Sequence, residues 1–296
     1  MPRRRVRARG ASLGSRMCGF AGILSPSGLG PEAGASLRAM TQCLAHRGPD
    51  DDGIWIDARA GIALGHRRLS IVDLTPSGAQ PMTSASGRTI LAFNGEIYNH
   101  DELRRRLGGH VAWRGRSDTE TLLEAIERWG LEAALEASVG MFAFAVVDLE
   151  RGELALARDR FGEKPCHYGW HGGHLLFGSE LKALRAHPAY RNETDHEALA
   201  AYLRHGYVPS PRTIDAGTAK LPPGTIARWR LGASPGTEPA RHAYWSLRAI
   251  ATQGIERPFT GSFEDATERL DQLIADSVAL QRVADVPLGA FLSGGV

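Results

Sequence analysis

Met17-Cys18-Gly19-Phe20-Ala21-Gly22-Ile23-Leu24 places a thiol directly behind a methionine and directly ahead of an apolar run. If translation starts at Met17, a residue as small as cysteine favours removal of that methionine. Cys18 then carries a thiol and a free α-amino group on one residue. An α-amine titrates near ~7.7–8.0 and a thiol near ~8.5. Such an amine is partly neutral at neutral pH and can take the thiol proton without a histidine partner. Read alone, Cys18 is equally a small hydrophobe opening a strand.

The sequence as given starts sixteen residues before Met17, and Met1–Arg16 holds six arginines and no acid. A start codon placed too far upstream is the first expectation for this leader. A propeptide removed to expose Cys18 is the second. The formal net charge of +2 becomes −4 once those six arginines are set aside. The body of the chain therefore gives no reason to expect nucleic acid. Its 296 residues, 43% hydrophobic and 23% charged, suit one large or two ordinary domains with a core. No apolar run approaches the ~18–20 residues of a membrane span. Cys18, Cys43 and Cys166 are too far apart for a metal or redox CxxC pair, which points to a reducing cytoplasm.

Outward from Cys18, Phe20–Leu24 reads as a strand and Ser36–Ala45 as a helix, with Leu37, Met40 and Leu44 on one face. Cys43 in that helix is expected as a buried structural thiol. His46–Gly53 breaks at Pro49, and its three aspartates read as a solvated loop, since no further ligands follow at metal-site spacing. Ile54–Asp57 and Ile62–His66 are strands, with Arg67–Asp73 continuing as a partly buried one. After a Pro-, Ser- and Gly-rich loop, strand Thr89–Phe93 runs into Asn94-Gly95-Glu96. Asn99 with Glu102 resembles a cap for a helix over Asp101–Leu107, and Ser117-Asp118-Thr119-Glu120 a capping box ahead of Leu122, Leu123 and Ile126. Four strands follow, Met141–Asp148, Glu153–Arg158, Cys166–Trp170 and His174–Gly178, the last two joined at Gly172-Gly173. Ser179–Ala186 and His196–His205 read as helices. Tyr207 to about Ser262, richer in Pro and Gly, reads as a connecting segment with only short strand candidates such as Thr225–Leu231. Ser262 then caps a long helix to about Val283, ahead of an apolar strand, Val286–Leu292, that ends in Ser293-Gly294-Gly295.

Several of these residues could carry chemistry. Asn94-Gly95 is either a turn dipeptide or, behind a strand, a pair of N–H donors for an oxyanion. Arg68 ends an apolar-rich strand, so it either reaches solvent or holds a carboxylate. Asp118 suits a first helical turn on dipole grounds alone, and a ligand ammonium would be its functional partner. Ser293-Gly294-Gly295 is a phosphate nest or a flexible end. None of the eleven histidines lies in a metalloprotease or triad setting.

Taken together, Cys18–Gly22, His46–Asp50, Arg68–Asp73, Asn94–Asn99, Ser117–Glu120, Arg158–Pro165, Ser179–Lys182 and Pro209–Pro211 resemble the glutamine-hydrolysing asparagine synthetases. Eight modest motifs in the right order make the likeness specific, and it runs from Cys18 to Val296. The resemblance implies an α+β, four-layer αββα N-terminal-nucleophile glutaminase domain over 18–206. A connecting segment over 207–262 and the first helix and strand of an α/β pyrophosphatase-loop synthetase domain over 263–296 would follow. It implies that Cys18 attacks the glutamine side-chain amide, its α-amine shuttling the proton, with Asn94 and Gly95 as the oxyanion hole. Arg68 would hold the glutamine carboxylate and Asp118 its ammonium, with Leu69, Ser70, Ile71, Val72 and Glu96 lining the pocket. Leu292, Ser293, Gly294 and Gly295 would belong to an ATP loop.

The same likeness implies no cofactor or metal for hydrolysis, and Mg-ATP with aspartate for the synthetase step. The aspartate and serine of the family's SGGxDS loop do not follow, so the expectation is a truncated ligase, at most a glutaminase by itself. Expected partners are glutamine and, for the full-length enzyme, aspartate and ATP, with a homodimer and no nucleic acid or membrane. Cys166 stands where the family usually has an aliphatic or aromatic residue, which puts core packing at issue. The amidotransferases that make amino sugars or purine precursors lack the Arg68–Asp73 stretch in this form. Two other readings stay open: a silent glutamine-binding module with Cys18 blocked by the leader, and amidation of another acceptor.

Overall fold

The apolar run behind Cys18 forms strand β1 (Gly19–Leu24), and all six residues are buried because partners flank it on both sides. The computed structural model describes residues 17–282, 284–287 and 289. β1 pairs antiparallel with β3 (Ile62–Arg68) and β9 (His174–Gly178). With β2 (Asp51–Asp57), β8 (His167–His171) and β10 (Thr218–Lys220) they make a sheet of order β10-β8-β9-β1-β3-β2. A second antiparallel sheet has the order β12-β11-β7-β6-β5-β4. It comprises β4 (Met82–Thr83), β5 (Thr89–Ile97), β6 (Gly140–Asp148), β7 (Glu153–Arg158), β11 (Thr225–Arg230) and β12 (Ala240–Ala243).

The period-2 alternation of the strands sorts their side chains into three cores. Phe20, Leu24, Ile62 and Leu64 of the first sheet face Ile90, Ala92, Ala143, Ala145 and Val147 of the second, filling the space between them. The opposite rows turn outward. Ala21, Ile23, Ala63 and Leu176 pack on Leu37, Met40 and Leu44 and on Ala183 and Leu184, borne by α1 (Ala33–Gln42), the turns after it and α5 (Leu181–Arg185). Leu91, Phe93, Phe142 and Phe144 pack on Leu103, Leu122, Leu123 and Leu135. Those belong to α2 (His100–Leu107), α3 (Asp118–Trp129) and α4 (Leu131–Ala137). Helices, sheet, sheet, helices: the four-layer αββα arrangement is observed. Cys166 packs in the inter-sheet core, where burial pushes its thiol up to about 12.

Several local expectations are corrected. Cys43 caps α1 half-buried rather than buried, because the helix ends at Gln42 and turns carry the chain outward. β2 begins at Asp51, whose pairing with Arg68 draws the exposed Asp51 and Asp52 into the sheet. The run Leu69–Asp73 is a loop, since β3 stops at Arg68. Asn94-Gly95 is no turn: β5 continues to Ile97 because β6 pairs with it as far as Gly140. Asn99 precedes α2 without capping it, its amide being taken by Ala137 O and Val139 N–H. Ser117 does cap α3 through Glu120 N–H at 3.2 Å, but the Glu120 carboxylate turns elsewhere. The stretch expected as a connection from 207 supplies β11 where the short strand Thr225–Leu231 was expected and adds β10 and β12, so it belongs to the two sheets: β10 pairs with β8, β11 with β7 and β12 with β11. α4 was not expected; Gly130 ends α3 and opens α4 at once.

Beyond α6 (His196–His205), α7 (Leu247–Glu256) and α8 (Phe263–Leu280) bury no residue, and α8 opens on a full Ser262–Asp265 capping box. The leader 1–16 and Leu292, Ser293, Gly294 and Gly295 lie outside the described residues, as does most of the strand expected over 286–292. Among the described residues no helix is long and apolar enough to cross a membrane, and no three His, Cys, Asp or Glu gather as metal ligands.

Candidate active site

The rows that fill the inter-sheet core turn polar at one end. Two residues before Phe20 on β1 is Cys18; four beyond Leu64 on β3 is Arg68; two beyond Ala92 on β5 is Asn94. Alternation alone therefore aims these three side chains into the same gap between the sheets. Asp118, at the first position of α3, comes in from the helical layer. A cleft opens there, lined by Cys18, Arg68, Leu69, Ile71, Val72, Asn94, Gly95, Glu96 and Asp118. Ser70 is the one predicted pocket residue in the described region that does not line it. Its N–H is held outward by Asp50 Oδ2 at 2.9 Å.

Cys18 is half-buried, its sulfur 3.4 Å from the Leu69 N–H and 3.5 Å from the Leu69 carbonyl. Burial pushes its thiol above the usual range and the Asp118 charge adds to that, against the Leu69 N–H, Arg68 and Arg47. Burial therefore favours the thiol over the thiolate at Cys18. Its carbonyl accepts Arg47 Nε–H at 2.9 Å, and Arg47 is held in turn by Glu180 at 2.8 Å.

Asn94 is buried, and neither its side-chain nitrogen nor its oxygen has a hydrogen-bond partner in the protein. Its neighbour Gly95 stands opposite Phe142 in the β5–β6 ladder. Phe142 uses its N–H on Asp159 Oδ2 at 3.1 Å and its carbonyl on Asp159 N–H at 2.8 Å. Residues opposed in an antiparallel ladder exchange both bonds or neither, so the Gly95 N–H turns away from β6. A Cβ at Gly95 would collide with the Met141 carbonyl and lie 2.6 Å from Phe142 Cβ, so only glycine fits.

Arg68 is buried, with Nη1 donating to Thr75 O at 3.1 Å and Nη2 to Asp73 O. Among the described residues it has no carboxylate partner. Gly78 makes room for it, since a Cβ there would strike the guanidinium. Asp118 is the complement: a buried carboxylate with no arginine or lysine partner among the described residues, His100 being the neighbour that favours its charge. Its oxygens accept Ile97 N–H at 2.9 Å and Thr119 N–H at 2.8 Å. Burial nevertheless raises its pKa. Glu96 is raised for the same reason, with Asp118 adding to it and Lys164 opposing. A free cation and a free carboxylate facing one cleft match the carboxylate and ammonium of an α-amino acid.

Sequence reasoning gave no role to Gln80, Arg47, Asp73, Lys164 or His66, all of which shape this region. Gln80 joins β5 to α3, accepting Phe93 N–H at 2.7 Å and donating to Thr119 Oγ1 at 3.3 Å. Lys164 lines the cleft beside Met17, and burial lowers its pKa. His66 lies in the same inward row as Arg68, fully buried, with Nε2 2.9 Å from the Phe93 carbonyl. The carbonyl can only accept, so this ring nitrogen carries the proton. Burial holds His66 neutral, down to about 4.

Comparison with known proteins agrees with the architecture. A model of the glutamine amidotransferase domain matches residues 17–245, and one described as asparagine synthase matches residues 269–296. Bacillus subtilis asparagine synthetase [glutamine-hydrolyzing] 1 is 36% identical over 95% of this chain and 42% of its own length. Asparagine synthetase [glutamine-hydrolyzing] 3 of the same organism is 35% identical over 95% of this chain and 44% of its length. The chain thus spans less than half the length of these curated relatives. Among solved structures, B. subtilis glutamine phosphoribosylpyrophosphate amidotransferase is similar in fold, with a TM-score of 0.57 at 19% identity over 78% of this chain and 50% of that one. The chain belongs to the glutamine amidotransferase domain family, and along nearly all of its length it is similar to the glutamine-hydrolysing asparagine synthetases.

Proposed function

We propose that Cys18, once it is the first residue, hydrolyses glutamine to glutamate and ammonia. The α-amine takes the thiol proton as sulfur attacks the side-chain amide carbon. The oxygen that gains negative charge is met by Asn94 Nδ2 and the Gly95 N–H, while Arg68 binds the substrate carboxylate and Asp118 its ammonium. The amine then gives its proton to the leaving nitrogen, ammonia departs, and water cleaves the thioester. Ile71, Val72, Leu69 and Glu96 enclose the substrate. The observation that carries this reading is the Asn94 amide, buried and unpartnered in the same cleft as the thiol. Nearly all buried polar groups find a partner, so one without awaits something.

In the full-length protein the ammonia would serve ATP-dependent amidation of aspartate, with Mg-ATP bound by the synthetase part, in the cytoplasm. The amidotransferase unit then runs from Cys18 through β12, beyond the boundary at 206. A second reading has its own observation. Met17 lines the cleft, and its N–H donates to Arg47 O at 3.1 Å, so an unprocessed chain has a filled site and an amide in place of the amine. N-terminal sequencing with a glutamate-release assay separates the two. Cys18 as first residue with hydrolysis lost in Cys18→Ala supports the enzyme. An intact leader with no hydrolysis supports the silent module.

A further inference from the structure

Asp73 has no assigned role, yet the cleft hangs on it. Among the described residues it is the only non-glycine with a positive φ, +54°, a region that aspartate tolerates better than most residues. That turn makes Leu69–Asp73 a loop instead of a strand. All of its polar groups are engaged. Oδ1 accepts Thr75 N–H at 3.2 Å and the Thr75 hydroxyl at 2.6 Å. Oδ2 accepts the Ser77 hydroxyl at 3.0 Å and Arg116 N–H at 2.8 Å. Its carbonyl takes Arg68 Nη2, and its N–H donates to Asp285 Oδ2 at 2.9 Å. The last contact ties in the segment after α8, whose Asp285 N–H also donates to Ile71 O at 3.0 Å.

Two of these bonds run in opposite directions across the cleft. Through its carbonyl Asp73 seats the guanidinium of Arg68. Through Oδ2 it holds the backbone of Arg116, two residues ahead of Asp118 and next to the residue that caps α3. The two loops touch so closely that a Cβ on Gly115 would strike Asp73 Oδ2. An α-amino acid carries its carboxylate and ammonium on one carbon, so their receptors must stand at a fixed separation. We infer that Asp73 is the positioning residue that sets Arg68 and Asp118 at the spacing an α-amino acid requires. This rests on the assignment of those two residues to glutamine.

The test is steady-state glutamine hydrolysis by protein whose first residue is Cys18 by sequencing. In Asp73→Asn an amide N–H₂ group faces a backbone N–H donor whichever way the side chain turns, so either the hold on Arg116 or the one on Thr75, whose carbonyl seats Arg68, is lost. The expected result is a KM for L-glutamine raised about tenfold or more, with kcat within about threefold because Cys18 and Asn94 are untouched. Ser77→Ala, a milder change, gives a smaller rise of the same kind and covers a failure of Asp73→Asn to fold. A wild-type KM in both variants overturns the inference, as does a fall in kcat that follows thermal stability with KM unchanged. If Arg68→Gln and Asp118→Asn also leave KM unchanged, the glutamine assignment itself fails. If those two raise it while Asp73→Asn and Ser77→Ala do not, only the role of Asp73 falls.

Discussion

Asn94→Ala is the substitution for which structure and chemistry predict opposite signs. Both polar atoms of the Asn94 side chain are buried without a partner in the protein. Removing them breaks no internal hydrogen bond and relieves a desolvation cost of about 1–3 kcal/mol. The side chain borders a cleft, so truncation enlarges existing space and opens no new hole in a core. Stability should therefore hold or rise, and 1 kcal/mol shifts Tm by about 2–4 °C in a domain of this size. Hydrolysis should move the other way. Loss of one oxyanion donor removes about 2.7–4 kcal/mol of transition-state stabilisation, or about 10²–10³ in kcat. KM for glutamine should change little, since the donor acts on charge that develops after binding. The assays are calorimetry on the folded protein and glutamate release over a range of glutamine concentrations. A kcat within about threefold of wild type would refute the oxyanion assignment. A Tm that falls by several degrees with kcat would make Asn94 a structural residue.

Asp118→Asn and Glu120→Gln should separate cleanly: the first raises KM for glutamine at little cost in stability, and the second lowers the urea midpoint with KM unchanged. Gly95→Ala forces a Cβ against the Met141 carbonyl, so an overpacking cost of about 1–3 kcal/mol and loss of hydrolysis are expected together, read by calorimetry and glutamate release. His66 and His187 are buried and His167 half-buried, and desolvation holds each neutral, near about 4 against an ordinary 6.5. A histidine lowered on folding contributes stability that is complete above pH 6.5 and is lost as pH falls toward 4. The contribution of His66 alone is on the order of 3 kcal/mol. Urea midpoints that stay flat from pH 7 to about 4.5 would exclude this.

Much of the sandwich could be read from alternation, because rows such as Phe20–Leu24, Ile62–Leu64 and Ile90–Ala92 carry their own period. What could not be read depends on partners distant in sequence. Asn94-Gly95 has the composition of a turn, and only the pairing of Ile97 with Gly140 keeps it extended. Leu69–Val72 has the composition of a strand, and only the bonds gathered on Asp73 turn it away. β10 and β12 are short edge strands, so their identity lies in β8 and β11. The site divides in the same way. Cys18, Arg68, Asn94, Gly95 and Asp118 stand in compact motifs whose chemistry is local. Arg47, Gln80 and Asp73 act largely through backbone groups of other segments, which leave no mark in composition.

Asp118 and Glu120 show why an unmet group identifies the site better than burial does. They stand two residues apart at the start of α3, both buried. Glu120 is fully engaged: Arg104 lies at 3.1 Å, Arg114 Nε at 3.3 Å, and the N–H groups of Arg114 and Gly115 at 2.8 and 3.0 Å. Its charge is answered inside the fold, which makes it a structural hub. Asp118 accepts two backbone N–H groups and meets no arginine or lysine, and Arg68 across the cleft donates to two carbonyls and meets no carboxylate. Leaving either charge unpaired is costly. The two do not meet each other, although pairing them would lower that cost. On the proposed reading they are held apart by the loop that Asp73 folds so that one zwitterion would neutralise both, and the Asn94 amide would meet an oxygen that exists only once Cys18 has attacked.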